Sequence, residues 1–178
     1  MAALGYNDKV AYPWYAPAGF NRAALDFVSL TRTRLNQSDR ERVYAARINP
    51  IVKFPRENYV IFAQKTLDNQ RTSLDSINVQ RMVLDVQRQV VDVGNRLIFE
   101  QITPALRQQF VKNVTPILTN VQSRQGLQQF KVICDETNNT NLDVENNKMN
   151  AKILLVPVKA VEFIAIDFVI TRAGVQFV

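Results

Sequence analysis

Between residues 76 and 97 the apolar positions recur every three or four residues. Met82, Val86, Val90, Val93 and Leu97 form one stripe, and Val79 and Val83 widen it. Side chains at that spacing share a helical face, so the pattern predicts the longest amphipathic helix of the chain, from about Ser76 to Leu97. The opposite face carries Arg81, Asp85, Arg88, Asp92 and Arg96. Their alternating signs give mutual support of about 0.3 kcal/mol per pair, as expected of a solvated surface. A second helix opens at Thr103-Pro104, a capping hydroxyl followed by proline at the first helical position, and runs to near Gly126. Its predicted buried stripe is Leu106, Phe110, Val114, Ile117 and Val121, and Pro116 inside it removes one backbone hydrogen bond and should bend it.

Elsewhere the apolar residues come in short β-branched and aromatic runs. Ile51–Phe54 and Val60–Ala63 read as strands around the turn Pro55-Arg56-Glu57-Asn58. Ser38-Asp39-Arg40-Glu41 reads as a capping box for a short helix from Asp39 to Arg47, stopping before Asn49-Pro50. A strand over Phe130–Cys134 leads into a polar loop, Asp135 to Asn141 and on to Asn147, whose spacing lacks the glycine and the terminal glutamate of a calcium loop. The chain closes with Ala151–Pro157, Glu162–Ile170 and an extended piece, Thr171–Val178. A chain ending in strands has an edge to offer to its own sheet or to another's.

These elements predict an α+β domain in which two long helices pack on a small mixed β-sheet, with edge strands completed by neighbouring subunits. One domain spans residues 1–178: an opening segment rich in proline and aromatics (1–37), a core (38–170) and a C-terminal extended arm (171–178). Tyr12, Trp14, Tyr15 and Phe20, set around Pro13, Pro17 and Gly19, are expected to pack on the core.

Composition narrows the chemistry. Apolar residues at 47% and charged residues at 21% are globular values. A net charge of +6 suits an acidic partner. Arg32, Arg34, Arg40, Arg42, Arg47 and Arg56 are the densest basic group and read as a solvated surface. The second helix is different: Arg107, Lys112 and Arg124 stand where no carboxylate occurs between Glu100 and Asp135, which marks a partner-facing candidate. There is no histidine, and the single Cys134 lies in an apolar run, which excludes an intrachain disulfide, a Cys/His pair and a typical zinc site. The five glycines are ungrouped, so no phosphate-cradling loop exists. Asp135 and Glu136 follow a strand without a partner at a recognisable spacing. No enzymatic activity, cofactor or metal is expected. No segment reaches the ~20 apolar residues of a membrane span, and Met1 to Gly5 lack the features of a secretion signal, so a soluble protein made inside the cell is expected.

Three stretches, in order, resemble the C-terminal domain of contractile phage tail sheath proteins of the T-even type. They are Trp14-Tyr15-Ala16-Pro17-Ala18-Gly19 with Ile48-Asn49-Pro50-Ile51-Val52; Lys65-Thr66-Leu67 leading through Ile77-Asn78-Val79-Gln80-Arg81; and Val132 to Thr140, followed by Pro157 and Thr171-Arg172-Ala173-Gly174-Val175. The chain departs from the family at Gln80, where arginine is usual, so a basic contact there is expected to be lost or moved. Because whole sheath subunits are much longer, the resemblance also implies that the chain is a piece of a larger subunit.

The resemblance implies a non-enzymatic structural subunit that surrounds an inner tail tube and contracts to drive it through the host envelope. It places the chain in the virion, after assembly in the host cytoplasm. The implied partners are neighbouring sheath subunits, the tail tube protein, and the baseplate and tail terminator at the ends, with neither nucleic acid nor membrane. By position, Arg107, Lys112 and Arg124 are the implied tube contact. Thr171, Arg172, Ala173, Gly174, Val175, Gln176, Phe177 and Val178 match the arm that adds a strand to a neighbour's sheet. Two alternatives fit the same residues: the sheath of a related bacterial injection device of tailocin type, and a basic nucleic-acid-binding module. The second would need aromatics exposed beside arginines on one sheet face.

Overall fold

The computed structural model describes residues 2–55, 57–68, 70 and 72–162. In chain order its elements are α1 (Ala2–Val10), β1 (Ala24–Leu25), α2 (Gln37–Ala45), β2 (Ile51–Lys53), β3 (Tyr59–Ile61), a 3-10 turn (Ser73–Asp75), α3 (Ile77–Asn95), α4 (Pro104–Ser123), β4 (Leu127–Ile133), α5 (Asn141–Glu145) and β5 (Lys152–Pro157). The strand expected over Glu162–Ile170, apart from Glu162 itself, and the arm Thr171–Val178 lie outside the described residues.

The α+β class holds. In place of one mixed sheet, the described strands form two antiparallel sheets: β1-β3-β2, and the pair β4-β5. The β4–β5 register places Phe130 opposite Leu155 and Val132 opposite Ile153 on the inner face, with an irregularity between Leu127 and Gln129. That face covers the two long helices, and one continuous core joins Val79, Met82 and Val86 of α3 to Leu106, Phe110, Val114, Leu118 and Val121 of α4. The stripe expected on α3 is the one observed. On α4, Leu118 is fully buried where Ile117 was expected, and Ile117 is half-buried. The cause is that α4 packs against both α3 and β4, so its buried face is broader than a single stripe. The helix runs on through Pro116, whose missing N–H leaves the Lys112 carbonyl without its usual donor.

Trp14 locks the opening segment to this core, as its aromatic content predicts. The ring is 8% exposed, its Nε1–H donates to the Arg124 carbonyl at 2.9 Å, and its own carbonyl accepts from the buried Asn78 amide at 3.1 Å. Gly126 makes room for it, since a Cβ there would stand 2.5 Å from Val121 Cγ1 and 3.0 Å from the indole. A second, smaller cluster of Ala3, Leu25 and Tyr59 lies under α1 and the three-stranded sheet.

Three local expectations are corrected. The cap of α2 is Asn36, whose side chain accepts from the Asp39 N–H while Asp39 accepts from the Asn36 N–H, so the helix starts two residues before the Ser38 box. The opening segment holds α1, which no apolar period announces. The polar loop after β4 contains α5, with a capping box between Thr140 and Asp143. The asparagines of that loop are structural. Asn138 and the buried Asn139 both donate to the Asn150 carbonyl, and Asn139 accepts from the Asn150 N–H at 2.6 Å. They close the connection between β4 and β5 by side chain–backbone bonds, which leaves those amides engaged.

Candidate assembly interface

The three cations marked on α4 do not form one stripe. At about 100° per residue, Lys112 lies roughly 140° around the axis from Arg107, and Arg124 about a further 120°. Arg107 is 9% exposed and sits beside the core residue Leu106, so it is withdrawn from the tube-facing set. Its charge instead faces Cys134 and Asp135 across the start of the polar loop. There burial pushes the Cys134 thiol above its ordinary value, against the opposing pull of Arg107. Lys112 is exposed. Arg124 is exposed too, but it is held: its guanidinium lies 4.5 Å over the Tyr12 ring and donates to the Tyr12 hydroxyl, while Tyr12 stacks on Trp14 at 5.0 Å. A cation fixed over an aromatic face loses little freedom when a partner arrives.

The outer face of the β4–β5 pair carries Lys131 opposite Leu154 and Gln129 opposite Val156. Leu154 and Val156 are 44% and 45% exposed, an apolar strip beside a cation. Neither outer edge of this pair is bonded to another strand among the described residues. Open edges of this kind are templates for strand addition.

A polar clasp that sequence reasoning missed fixes the chain just before residue 163. Lys65 Nζ lies 3.1 Å from Glu162 and 3.4 Å from Asp75, Arg47 reaches Asp75 at 4.0 Å, and the Tyr44 hydroxyl donates to Glu162. Asn49 sets this geometry by bonding both the N–H and the carbonyl of Lys65, at 2.7 and 2.8 Å. Burial lowers the Lys65 ammonium, but bonds to Glu162 and Tyr44 outweigh it and its pKa is raised. Burial also opposes the Asp75 carboxylate, yet the Ser76 hydroxyl, Lys65 and Arg47 hold its pKa below the ordinary 3.8. These residues lie up to 118 positions apart in sequence, with no spacing that would join them. At the departure from the family, Gln80 donates to the Leu74 carbonyl at 3.2 Å, and the neighbouring Arg81 pairs with Asp8 of α1.

Comparison with known proteins follows the same lines. The family model for the phage tail sheath C-terminal domain matches residues 68–171, more than half of the chain. The tail sheath protein of Vibrio phage KVP40 is 34% identical over 97% of the chain, and that of Enterobacteria phage T4 is 28% identical over 96%. The chain spans 26% of each of these proteins. Among solved structures, a chain of the anti-feeding prophage baseplate, determined by cryo-electron microscopy, shares the fold at a TM-score of 0.87 and 19% identity, over 96% of this chain and 48% of that one. The helices α3 and α4, the β4–β5 pair and the asparagine-closed loop therefore belong to a known design, and the chain is a member of the phage tail sheath C-terminal domain family.

Proposed function

We propose that this chain is the inner domain of a contractile tail sheath, a non-enzymatic structural subunit that packs with its copies around a tail tube and moves when the sheath contracts. The observation that carries the reading is the family match over residues 68–171, together with 34% identity to a tail sheath protein along nearly the whole chain. The edges of β4–β5, which no other strand among the described residues bonds, support a lattice linked by strand addition, with Thr171 to Val178 as the donated strand. One net backbone hydrogen bond contributes about 1 kcal/mol, so a single arm is weak and many arms together are strong. Lys112 and Arg124 are the proposed contacts to an acidic tube surface. Exposed ion pairs of about 0.5 kcal/mol suit a grip that must release. Baseplate and tail terminator would cap the ends.

The experiment is electron microscopy of the chain expressed with its cognate tube protein. Helical sleeves on the tube support the reading, and monomers that persist beside bare tubes refute it. In the same assay Lys112→Glu with Arg124→Glu should reduce tube-dependent assembly at least tenfold. Full assembly by that variant would remove the tube contact.

The fold shared with an anti-feeding prophage baseplate chain favours a second reading in the same mechanics, the sheath of an injection device. A nucleic-acid platform has less support. Phe20 packs edge-on with Phe54, Phe62 is tilted against both, and Arg40 covers Phe54 at 5.2 Å, so these rings do not lie parallel as a base-stacking platform would.

A further inference from the structure

The turn between α3 and α4 holds Phe99 at φ +72°. That left-handed conformation costs a bulky L residue about 1–2 kcal/mol. The Phe99 ring is fully exposed and Ile98 beside it is 58% exposed, so burial worth about 2 kcal/mol per side chain is forgone as well. The turn is nonetheless well held: Leu97 is buried, its N–H donates to Gly94, and the Glu100 N–H donates to Leu97. Strain and exposure at one position, on an anchored turn, mark a tip shaped for a partner.

A surface that fits the tip lies toward the other end of α3. A groove of about 430 Å³ is lined by Ala16, Ala18, Gly19, Pro50, Phe62 and Val161, small residues along one aromatic wall. The wall continues into Phe54, 4.8 Å from Phe62, and Phe20. Arg40 and Glu41 also line the groove, while Arg96 and Glu100 flank the tip. Each surface therefore offers one acid and one base to the other. The groove shares Tyr44, Gln64 and Glu162 with the clasp cavity, which Asn78 and Val79 of the first turn of α3 also line. The 19 residues of α3 separate that turn from the tip, about 28 Å at 1.5 Å per residue. A chain therefore does not insert its own tip into its own groove.

We propose that Ile98 and Phe99 dock into the Phe62 groove of a second copy of this chain, head to tail. Such a contact joins two different surfaces, so it propagates into a ring or an open helix and does not stop at a dimer. The inference rests on the proposed sheath function and adds to it a side-chain contact separate from strand addition.

The test keeps Phe99 in place and puts cysteines at the paired flanks. The chain with Cys134→Ser, Arg96→Cys and Glu41→Cys is oxidised at high protein concentration and resolved on a denaturing gel. A ladder of disulfide-linked multimers is expected, and adding Phe99→Gly should abolish it. Dimers alone, monomers alone, or a ladder that survives Phe99→Gly would overturn the proposal. Should the cysteine variants not fold, sedimentation of Phe99→Gly alone decides: self-association should weaken at least tenfold with Tm unchanged or higher, because glycine relieves the strained φ. Unchanged self-association, or loss of tube binding alone, assigns the tip elsewhere and overturns it. Sleeves on the tube without a ladder would leave the sheath reading standing and remove this contact; a ladder without sleeves would do the reverse.

Discussion

The two halves of this domain are built by different means. The α3–α4 layer with β4–β5 is held by one apolar core in which Val114 and Leu118 are inaccessible to solvent. The layer of α2, β1–β3 and the 159–162 segment has only a small core, and relies on aromatic packing at the surface and on the Lys65–Glu162 clasp. Dispersed apolar burial resists distortion because every methyl group has neighbours. A clasp of a few charge-assisted bonds holds one geometry and can be undone in one step. If the chain acts in a sheath as proposed, the first half suits a body that keeps its shape and the second suits joints that change.

The sharpest way to break this contrast is Leu118→Ala, which should cost about 3 kcal/mol in denaturant unfolding followed by Trp14 fluorescence, whereas Phe62→Ala in the exposed aromatic cluster should cost less than about 1 kcal/mol. Equal costs would erase the distinction. Gly126→Ala comes next, at about 2 kcal/mol, because its Cβ would meet Val121 and Trp14 inside the packed half. Lys65→Met should cost about 1 kcal/mol and speed proteolysis just after residue 162, while leaving amide exchange in α3 and α4 as it was. The smallest effect concerns pH. Asp75 has a depressed pKa, so its contribution is present above 3.8 and is lost as pH falls through the lower folded value. Asp75→Asn should therefore lower stability at neutral pH and show a shallower loss in that acid window. Parallel pH curves would remove Asp75 from the clasp.

The packed half was legible in the sequence because its information is periodic. The α3 stripe and the Thr103-Pro104 cap each declare their element within a few residues. The other half was legible only in fragments. Both Asn36 and Ser38 precede an acid by three residues, so both fit a capping box, and sequence alone does not choose between them. Thr140-Asn141-Leu142-Asp143 carried the signal for α5 but was obscured by the polarity of its surroundings. Helix α1 buries Asn7, a polar residue that bonds the Tyr12 and Tyr15 carbonyls, so no apolar stripe announces it. Arg107 misled for a related reason: a long side chain can lie along the core face of a helix, and counting charges along the sequence treats it as surface. The clasp joins residues from four separate stretches and leaves no mark in any of them.

Under the proposed sheath function, neighbouring copies finish the β4–β5 edges that no other described strand bonds. Hydrogen exchange, compared between the free chain and the chain assembled on its tube, tests it most directly. The account predicts unchanged protection through α3 and α4, and new protection at the outward-facing amides of β4 and β5. Assembly that leaves those amides exchanging as in the free chain would contradict it.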